Sequence, residues 1–278
     1  MIINMIGAGS GVEVGLPEFT YTGTYDMIDD GDDNWRIRLL TSGMLTFSKL
    51  GTGEGNIDVF CVGGGGSGYC APVNRAAGGG GGGYTNTSTR TVQKDTGYEI
   101  IIGAGGAKPS GEWGVNAGGN TSAFGVTAKG GSGGGVSSVE GSSDLPYAGS
   151  GGAGGSGGGR GQNGDPSDAG GTNGGNGGGG DNQSRGWGGR GQKAVAGPNG
   201  ESGNTFEFGE EDLEHPELAY SPGGGGGGGR AAGARGRGRT GVNSGAGGCG
   251  YRRTSDSSNA AGMSGIVVIR NHREVAAG

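Results

Sequence analysis

The sequence predicts an all-β fold: a β-sandwich into which a bundle of polyglycine II helices is inserted, with little or no α-helix. Three observations carry that expectation. Glycine supplies 80 of 278 residues, about four times its usual share, while the hydrophobic set is only 29% and aromatic residues 6%, too little for one conventional core of this length. The apolar residues gather in short β-branched runs bounded by glycine, a pattern that suits buried strands better than helices. The last of these runs stands near the C-terminus, so the glycine-rich middle has to return to the sheets it left.

In chain order, the first paired element is a hairpin from Trp35 to Phe47. Trp35, Ile37 and Leu39 alternate with Arg36 and Arg38, Ser42-Gly43 supplies the turn, and Met44–Phe47 returns; a period of two is that of a half-buried strand. Asn56–Val62 (NIDVFCV), Tyr98–Ile102 (YEIII) and Gly265–Arg270 (GIVVIR) read as interior strands. Phe19–Tyr21, Tyr84-Thr85, Thr89–Val92 and Thr121–Val126 are candidate edge strands. The division that follows is an N-terminal segment 1–30 suited to attachment, a sandwich scaffold over 31–106 plus 263–273, and a glycine-rich bundle over 107–262.

Glycine runs of similar length recur at 63–66, 78–83, 130–135, 151–159, 174–180 and 223–229. Chains without Cβ can pack side by side in the three-residue-per-turn conformation, joined by N–H···O=C bonds between neighbours. At about 3.1 Å per residue the 223–229 run would span roughly 22 Å, near the length of an ordinary strand. Ordering each glycine costs about 1–2 kcal/mol against a net of about 0.5–1.5 kcal/mol per hydrogen bond. Such a bundle therefore needs nearly every backbone group satisfied and a scaffold to anchor it. The direct run of NIDVFCV into 63–66, and of YEIII into 103–106, supplies the anchor. Collagen is excluded, because there are only 8 prolines and no Gly-X-Y period.

Composition and motifs also exclude function classes. A net charge of −6 argues against a nucleic-acid-binding chain. Arg230, Arg235, Arg237 and Arg239 would suggest RNA in isolation; in an acidic chain they read as caps at rod ends or contacts to anionic glycans. Gly7–Val12 and Gly103–Ser110 both depart from the phosphate-cradling motifs. His215 precedes Pro216 and His272 lies in the terminal NHRE, neither placed for a catalytic dyad, so no catalytic residue and no enzyme is expected. Asp29-Asp30-Gly31-Asp32-Asp33 offers oxygens for calcium but lacks the alternating ligand pattern, and reads as a solvated turn before Trp35. Glu210–Glu214 reads as a surface loop closed by Pro216. No metal and no cofactor is expected. Cys61, Cys70 and Cys249 allow one bridge, Cys61–Cys70 or Cys70–Cys249, with buried free thiols the preferred reading. The N-terminus has no signal-peptide pattern and no segment reads as a membrane span. Trp113, Tyr147, Trp187 and Tyr251 sit among glycines, either as plugs on the bundle flanks or as exposed recognition residues.

LPEFTYTGTY (Leu16–Tyr25), NWRIRLLTSGMLTFSKLG (Asn34–Gly51), IDVFCVGGGGSG (Ile57–Gly68), GGGGGGYT (Gly78–Thr85), YEIIIGAGG (Tyr98–Gly106), TSAFG (Thr121–Gly125), FGE (Phe208–Glu210) and SGIVVIRNHR (Ser264–Arg273) together resemble glycine-rich tail proteins of phages and prophages of gut Firmicutes. The strand-to-glycine junctions are similar to the tumour-necrosis-factor-like and glycine-rich region of anaplastic lymphoma kinase-type receptors. The glycine rods are similar to those of T-even-type phage fibre-tip adhesins. The resemblance implies a jelly-roll, TNF-like sandwich in a non-enzymatic virion tail protein at a tail tip or fibre end. It would be made in the host cytoplasm without a signal peptide and released by lysis. Its implied partners are other tail or fibre proteins and a bacterial surface receptor, glycan or protein, with a homotrimer as one arrangement. Trp113, Tyr147, Trp187, Arg235, Arg237 and Arg239 are the candidate receptor contacts. The arginine-rich 230–239 segment and the acidic 207–217 loop depart from the family pattern. A structural baseplate or spacer protein is the first alternative, and a cellular surface or extracellular matrix protein the second.

Overall fold

The computed structural model describes residues 14–71, 79–110, 114–135, 245, 247–248, 251–252 and 260–273. Twelve strands follow in order: β1 Glu18–Tyr21, β2 Tyr25–Gly31, β3 Asn34–Leu39, β4 Gly43–Lys49, β5 Asn56–Val62, β6 Cys70–Ala71, β7 Thr85–Thr91, β8 Gly97–Ile101, β9 Thr121–Ala123, β10 Val126–Ala128, β11 Tyr251–Arg252 and β12 Ile266–Asn271. Ten of them build two antiparallel five-stranded sheets, β1-β4-β8-β9-β10 and β2-β3-β12-β5-β7, while β6 and β11 form a small parallel pair. Among the described residues there is no helix. The described part of the chain is all-β, as expected.

Alternation along each strand sends one set of side chains between the sheets. Trp35, Ile37 and Leu39 from β3, Leu45 and Phe47 from β4, Ile57, Val59 and Cys61 from β5, Ile100, Ala123 and Val126, and Val267 and Ile269 from β12 form one buried cluster. The opposite face of β5 and β12 is apolar at the end nearest the glycine tracts, where Phe60, Val62, Ile266 and Val268 are fully buried. NIDVFCV is therefore a strand buried on both faces, which explains its nearly continuous apolar run.

The hairpin expected over Trp35–Phe47 does not form. β3 is already flanked by β2 and β12, so β4 has no free edge there and pairs instead with β1 and β8 in the other sheet. Leu39 and Leu45 still meet in one core, because the chain arches across the sandwich rather than folding back within a sheet. The arch is tied by Thr24 N donating to Thr41 Oγ1 at 2.7 Å and Ile102 N donating to Ser42 Oγ at 2.9 Å. The true hairpins are β2–β3, turning through Gly31, Asp32 and Asp33 at φ 80°, 49° and 62°, and β9–β10, turning through Phe124 and Gly125 at φ 50° and 74°. The solvated acidic turn before Trp35 is the first of these.

Beyond the sandwich the glycine tracts run side by side. Tract 63–68 donates in succession from Gly63 to Tyr84, Gly64 to Gly119, Gly65 to Met263, Gly66 to Gly81, Ser67 to Asn116 and Gly68 to Ala260. The acceptor moves to a new neighbour at each step and returns to the first after three. A β-ladder, by contrast, serves one neighbour per edge. The same tract accepts from Gly106, Gly131, Gly134 and Gly248. Its neighbours are thus 79–84, 116–119 and 260–263, which it serves as donor, and 103–106, 131–134 and 245–248, which it serves as acceptor.

The surrounding tracts also bond to one another around the ring. Tyr84 and Gly81 donate to Lys129 and Ser132, Gly118 to Gly131, Gly119 to Ala104, Gly265 and Gly262 to Gly103 and Gly106, Gly245 to Ser264, and Gly80 and Gly83 to Gly248 and Gly245. The ring closes. The residue pairings give antiparallel relations between ring neighbours, so the tracts alternate in direction around the centre, and the central one donates only to those that oppose it.

Strands and tracts are continuous. β5, β8 and β10 run out into 63–68, 103–106 and 129–134, and 79–84, 116–119 and 260–265 run back into β7, β9 and β12. The chain therefore crosses repeatedly between sandwich and bundle rather than inserting one glycine block. Strands β9 and β10 fall inside the 107–262 segment, β1 and most of β2 inside 1–30, and tracts 63–68, 79–84 and 103–106 inside the 31–106 scaffold. Of the glycine runs identified from sequence, 151–159, 174–180 and 223–229 lie outside the described residues.

At many of their glycines the tracts pack more closely than a side chain would allow. A Cβ on Gly64 would lie 2.7 Å from the Ala104 carbonyl carbon and 2.9 Å from the Gly103 oxygen, with the Ala104 oxygen nearer still. All three are backbone atoms held in the bundle. At Gly119 the nearest neighbours would be Ala104 N at 3.1 Å and Gly103 Cα at 3.2 Å, a gap that small shifts can open.

Gly64→Ala should accordingly lose more than the ~1–3 kcal/mol typical of an overpacked core, and Gly119→Ala clearly less, by urea unfolding of each variant. Equal losses would mean that the tracts are not packed in this way. Cys61 is a free thiol buried in the core, and burial pushes its pKa up to about 12 against the opposing charge of Arg90. Alkylation near pH 8 followed by peptide mass mapping should leave Cys61 unmodified in the native protein and label it once urea has unfolded the chain.

Candidate functional site

At the end of the bundle remote from the sandwich, described residues mark where tracts leave off and resume. Tract 63–68 leads away from β5, and its last residues meet the start of 116–119 and of 260–263. Ser67 is fully buried there: its Oγ accepts from Asn116 N at 2.9 Å, and Asn116 Nδ2 donates to Ala107 O at 2.8 Å. Serine and asparagine thus cap the tracts where glycine gives way to turns. Tyr69 follows, nearly buried at 5% exposure, and β6 pairs with β11 just beyond, Cys70 beside Tyr251 and Ala71 beside Arg252.

Trp113, Tyr147, Trp187, Arg235, Arg237 and Arg239 all lie outside the described residues. Ser110 and Gly114, which flank Trp113, belong to the connection between 103–106 and 116–119 at this remote end. The arginine-rich and acidic segments, His215 and Cys249 likewise lie outside.

A second constellation occupies the outer face of the β3-β12-β5-β7 side and escaped sequence reasoning. Asp58 is the one carboxylate in β5, and the register sets it between Arg270 on β12 and Thr89 on β7. Arg270 Nε donates to its Oδ2 at 3.0 Å, Thr89 Oγ1 donates to its Oδ1 at 3.0 Å, and His272 Nδ1 lies 2.7 Å from Oδ1. Burial alone would push the Asp58 carboxyl up, but hydrogen bonds from His272, Arg270 and Thr89, with the Arg270 charge, outweigh it and hold the carboxyl below its ordinary range. Beside it, Asp30 on β2 pairs with Arg36 at 2.7 Å and with Arg273. The signal was present in the sequence: a lone acid in an apolar strand and an arginine in the terminal strand. Only the pairing register shows that they meet.

Chemically, an Asp–His pair can orient an imidazole as a base. Here the same carboxylate also accepts from a guanidinium and from the Thr89 hydroxyl, which donates to Asp58 rather than to the imidazole. The arrangement fastens the C-terminal strand to its neighbours. Asp29 Oδ1 accepts from Gly31 N at 2.9 Å within the acidic turn. Among the described residues no group of three or more His, Cys, Asp or Glu side chains could hold a metal, and no helix is long and apolar enough to cross a membrane.

The profile of a family described as "Glycine-rich domain" matches residues 41–272, well over half of the chain and inclusive of every tract described above. Comparison with curated proteins gave no match.

Asp58→Asn should lose about 3 kcal/mol at neutral pH, because it leaves the Arg270 charge without its counter-ion in a largely buried setting. The native contribution of Asp58 is present above the unfolded aspartate pKa of about 3.9 and disappears as pH falls through the lower folded value. Urea titrations across that range should therefore show the stability gap between the two proteins narrowing with acid.

Proposed function

Since the chain belongs to the family of glycine-rich domains, we propose that its tracts are polyglycine II helices and that the molecule is a non-enzymatic display module of a phage tail. The sandwich attaches to the tail tip or fibre end, and the bundle holds its remote connections out toward a bacterial surface receptor. The observation that carries this reading is the three-step rotation of hydrogen-bond partners along 63–68 within a closed ring of tracts, since a chain with three residues per turn directs successive amides to three different sides. Six tract–strand continuations support it further. They couple the sandwich to the bundle without a linker, as a platform for loops requires. The phage setting rests on the resemblance of the strand and junction sequences to prophage tail proteins. Partners would be other tail proteins and a surface glycan or protein, and release would follow lysis.

Measured by binding of the purified chain to whole cells of gut Firmicutes isolates, alanine replacement of Trp113, Tyr147, Trp187, Arg235, Arg237 and Arg239 together should reduce binding at least about tenfold with the unfolding midpoint unchanged. Undiminished binding removes these residues from the contact. Absence of cell binding by the parent chain removes the receptor role and leaves a spacer that touches only other tail proteins.

A further inference from the structure

Where the edge strands of the two sheets meet, β7 is stapled to the β9–β10 hairpin. Asn86 Nδ2 donates to Thr127 O at 2.9 Å and Arg90 Nε donates to Phe124 O at 3.1 Å. Below the second staple, at the end of the sandwich remote from the bundle, lies an open groove of about 300 Å³ lined by Arg90, Thr91, Tyr98, Glu99, Phe124 and the backbone of Gly97 and Gly125. That size is at the lower end for small-molecule sites and gives room for one sugar ring.

Its lining is built rather than incidental. Phe124 stands at φ 50°, a conformation that an aromatic residue rarely adopts and that surrounding contacts must hold. The Arg90 hydrogen bond to its carbonyl does so, and the Phe124 ring then sits 5.1 Å from the Tyr98 ring at 45°. Tyr98 is fixed in turn, its hydroxyl accepting from Gln93 N at 2.7 Å. The two rings make a half-buried aromatic wall. On the rim, Arg90 Nη1 is committed to Ser88 and to Thr89 O, whereas Nη2 has no hydrogen bond to any described residue. Glu99 is exposed and likewise makes no ion pair with a described residue. A planar donor and a planar acceptor of opposite charge thus border an apolar wall, with two glycines completing the lining.

We propose that this groove is a saccharide site for one neutral hexose ring, with the C–H face of the sugar against Phe124 and Tyr98 and its vicinal hydroxyls bridging Arg90 and Glu99. Aromatic faces accept the polarised C–H groups of a pyranose, and the bidentate geometry of guanidinium and carboxylate matches adjacent hydroxyls. The balance of one positive and one negative group favours a neutral ring over a uronic or amino sugar. The site is independent of the remote loops and stands or falls without them.

The test is an amide NMR titration of the full chain with maltose, lactose, cellobiose and N,N′-diacetylchitobiose, each to about 10 mM, with the dipeptide Gly-Tyr as comparison ligand. At least one sugar should move the Gly97 and Gly125 amides with millimolar affinity. Phe124→Gly, which suits the positive φ and so preserves the turn, should weaken that binding at least about tenfold, and Glu99→Gln about threefold. The proposal is overturned if no sugar moves these amides, if Phe124→Gly binds as tightly as the parent, or if Gly-Tyr alone occupies the groove.

Discussion

Everything in this molecule depends on hydrogen bonds between main chains that approach without side chains between them. An ordinary domain offsets the entropy of folding by burying apolar surface, and among the described residues this chain does so chiefly in the sandwich. Elsewhere it uses residues that lose the most backbone freedom and bury the least. The ring around 63–68 shows how order is still achieved: each successive amide of the central tract finds an acceptor, and its neighbours bond to one another as well. Removing a single contact would leave a buried amide unsatisfied, at a penalty larger than the bond's own net worth. Such an assembly is tolerant of composition at its surface and intolerant of one methyl group inside.

The sandwich supplies what the tracts lack. Its core of Trp35, Phe47, Leu39, Ile57 and Ile269 is conventional, and its strands fix the direction, spacing and order in which the tracts emerge. Strands 4.7–4.9 Å apart are set at nearly the distance at which bare backbones pack. The transition from ladder to bundle is visible in one strand: Val62 still pairs with Thr85 across the sheet, Gly63 still donates to Tyr84, and Gly64 turns to Gly119. Order in the glycine region is thus templated by side chains outside it.

Much of this was legible in the residues. NIDVFCV, YEIII and GIVVIR were readable as strands because β-branched runs bounded by glycine have few other uses, and their junctions with glycine pointed to the anchor. Three things were not. The arch between Leu39 and Met44 looked like a hairpin, since a turn between two alternating segments carries no mark of which sheet each will join. The tracts at 116–119, 245–248 and 260–263 are short and contain alanine, asparagine or methionine, so they lack the runs that identified the others. The Asp58 cluster depends on register across 212 residues of separation, which local pattern does not encode. The six residues singled out for recognition stand beyond what the structure describes.

The seamless passage of strands into tracts has a mechanical consequence. A pull applied at the far tips reaches the sheets along the strand axes, so that many hydrogen bonds resist together in shear instead of opening one after another like a zipper. Because adjoining tracts alternate in direction, tension on one is shared at once with neighbours rooted in different strands of both sheets. The described fold is therefore stiffest against tension along the strand and tract axes.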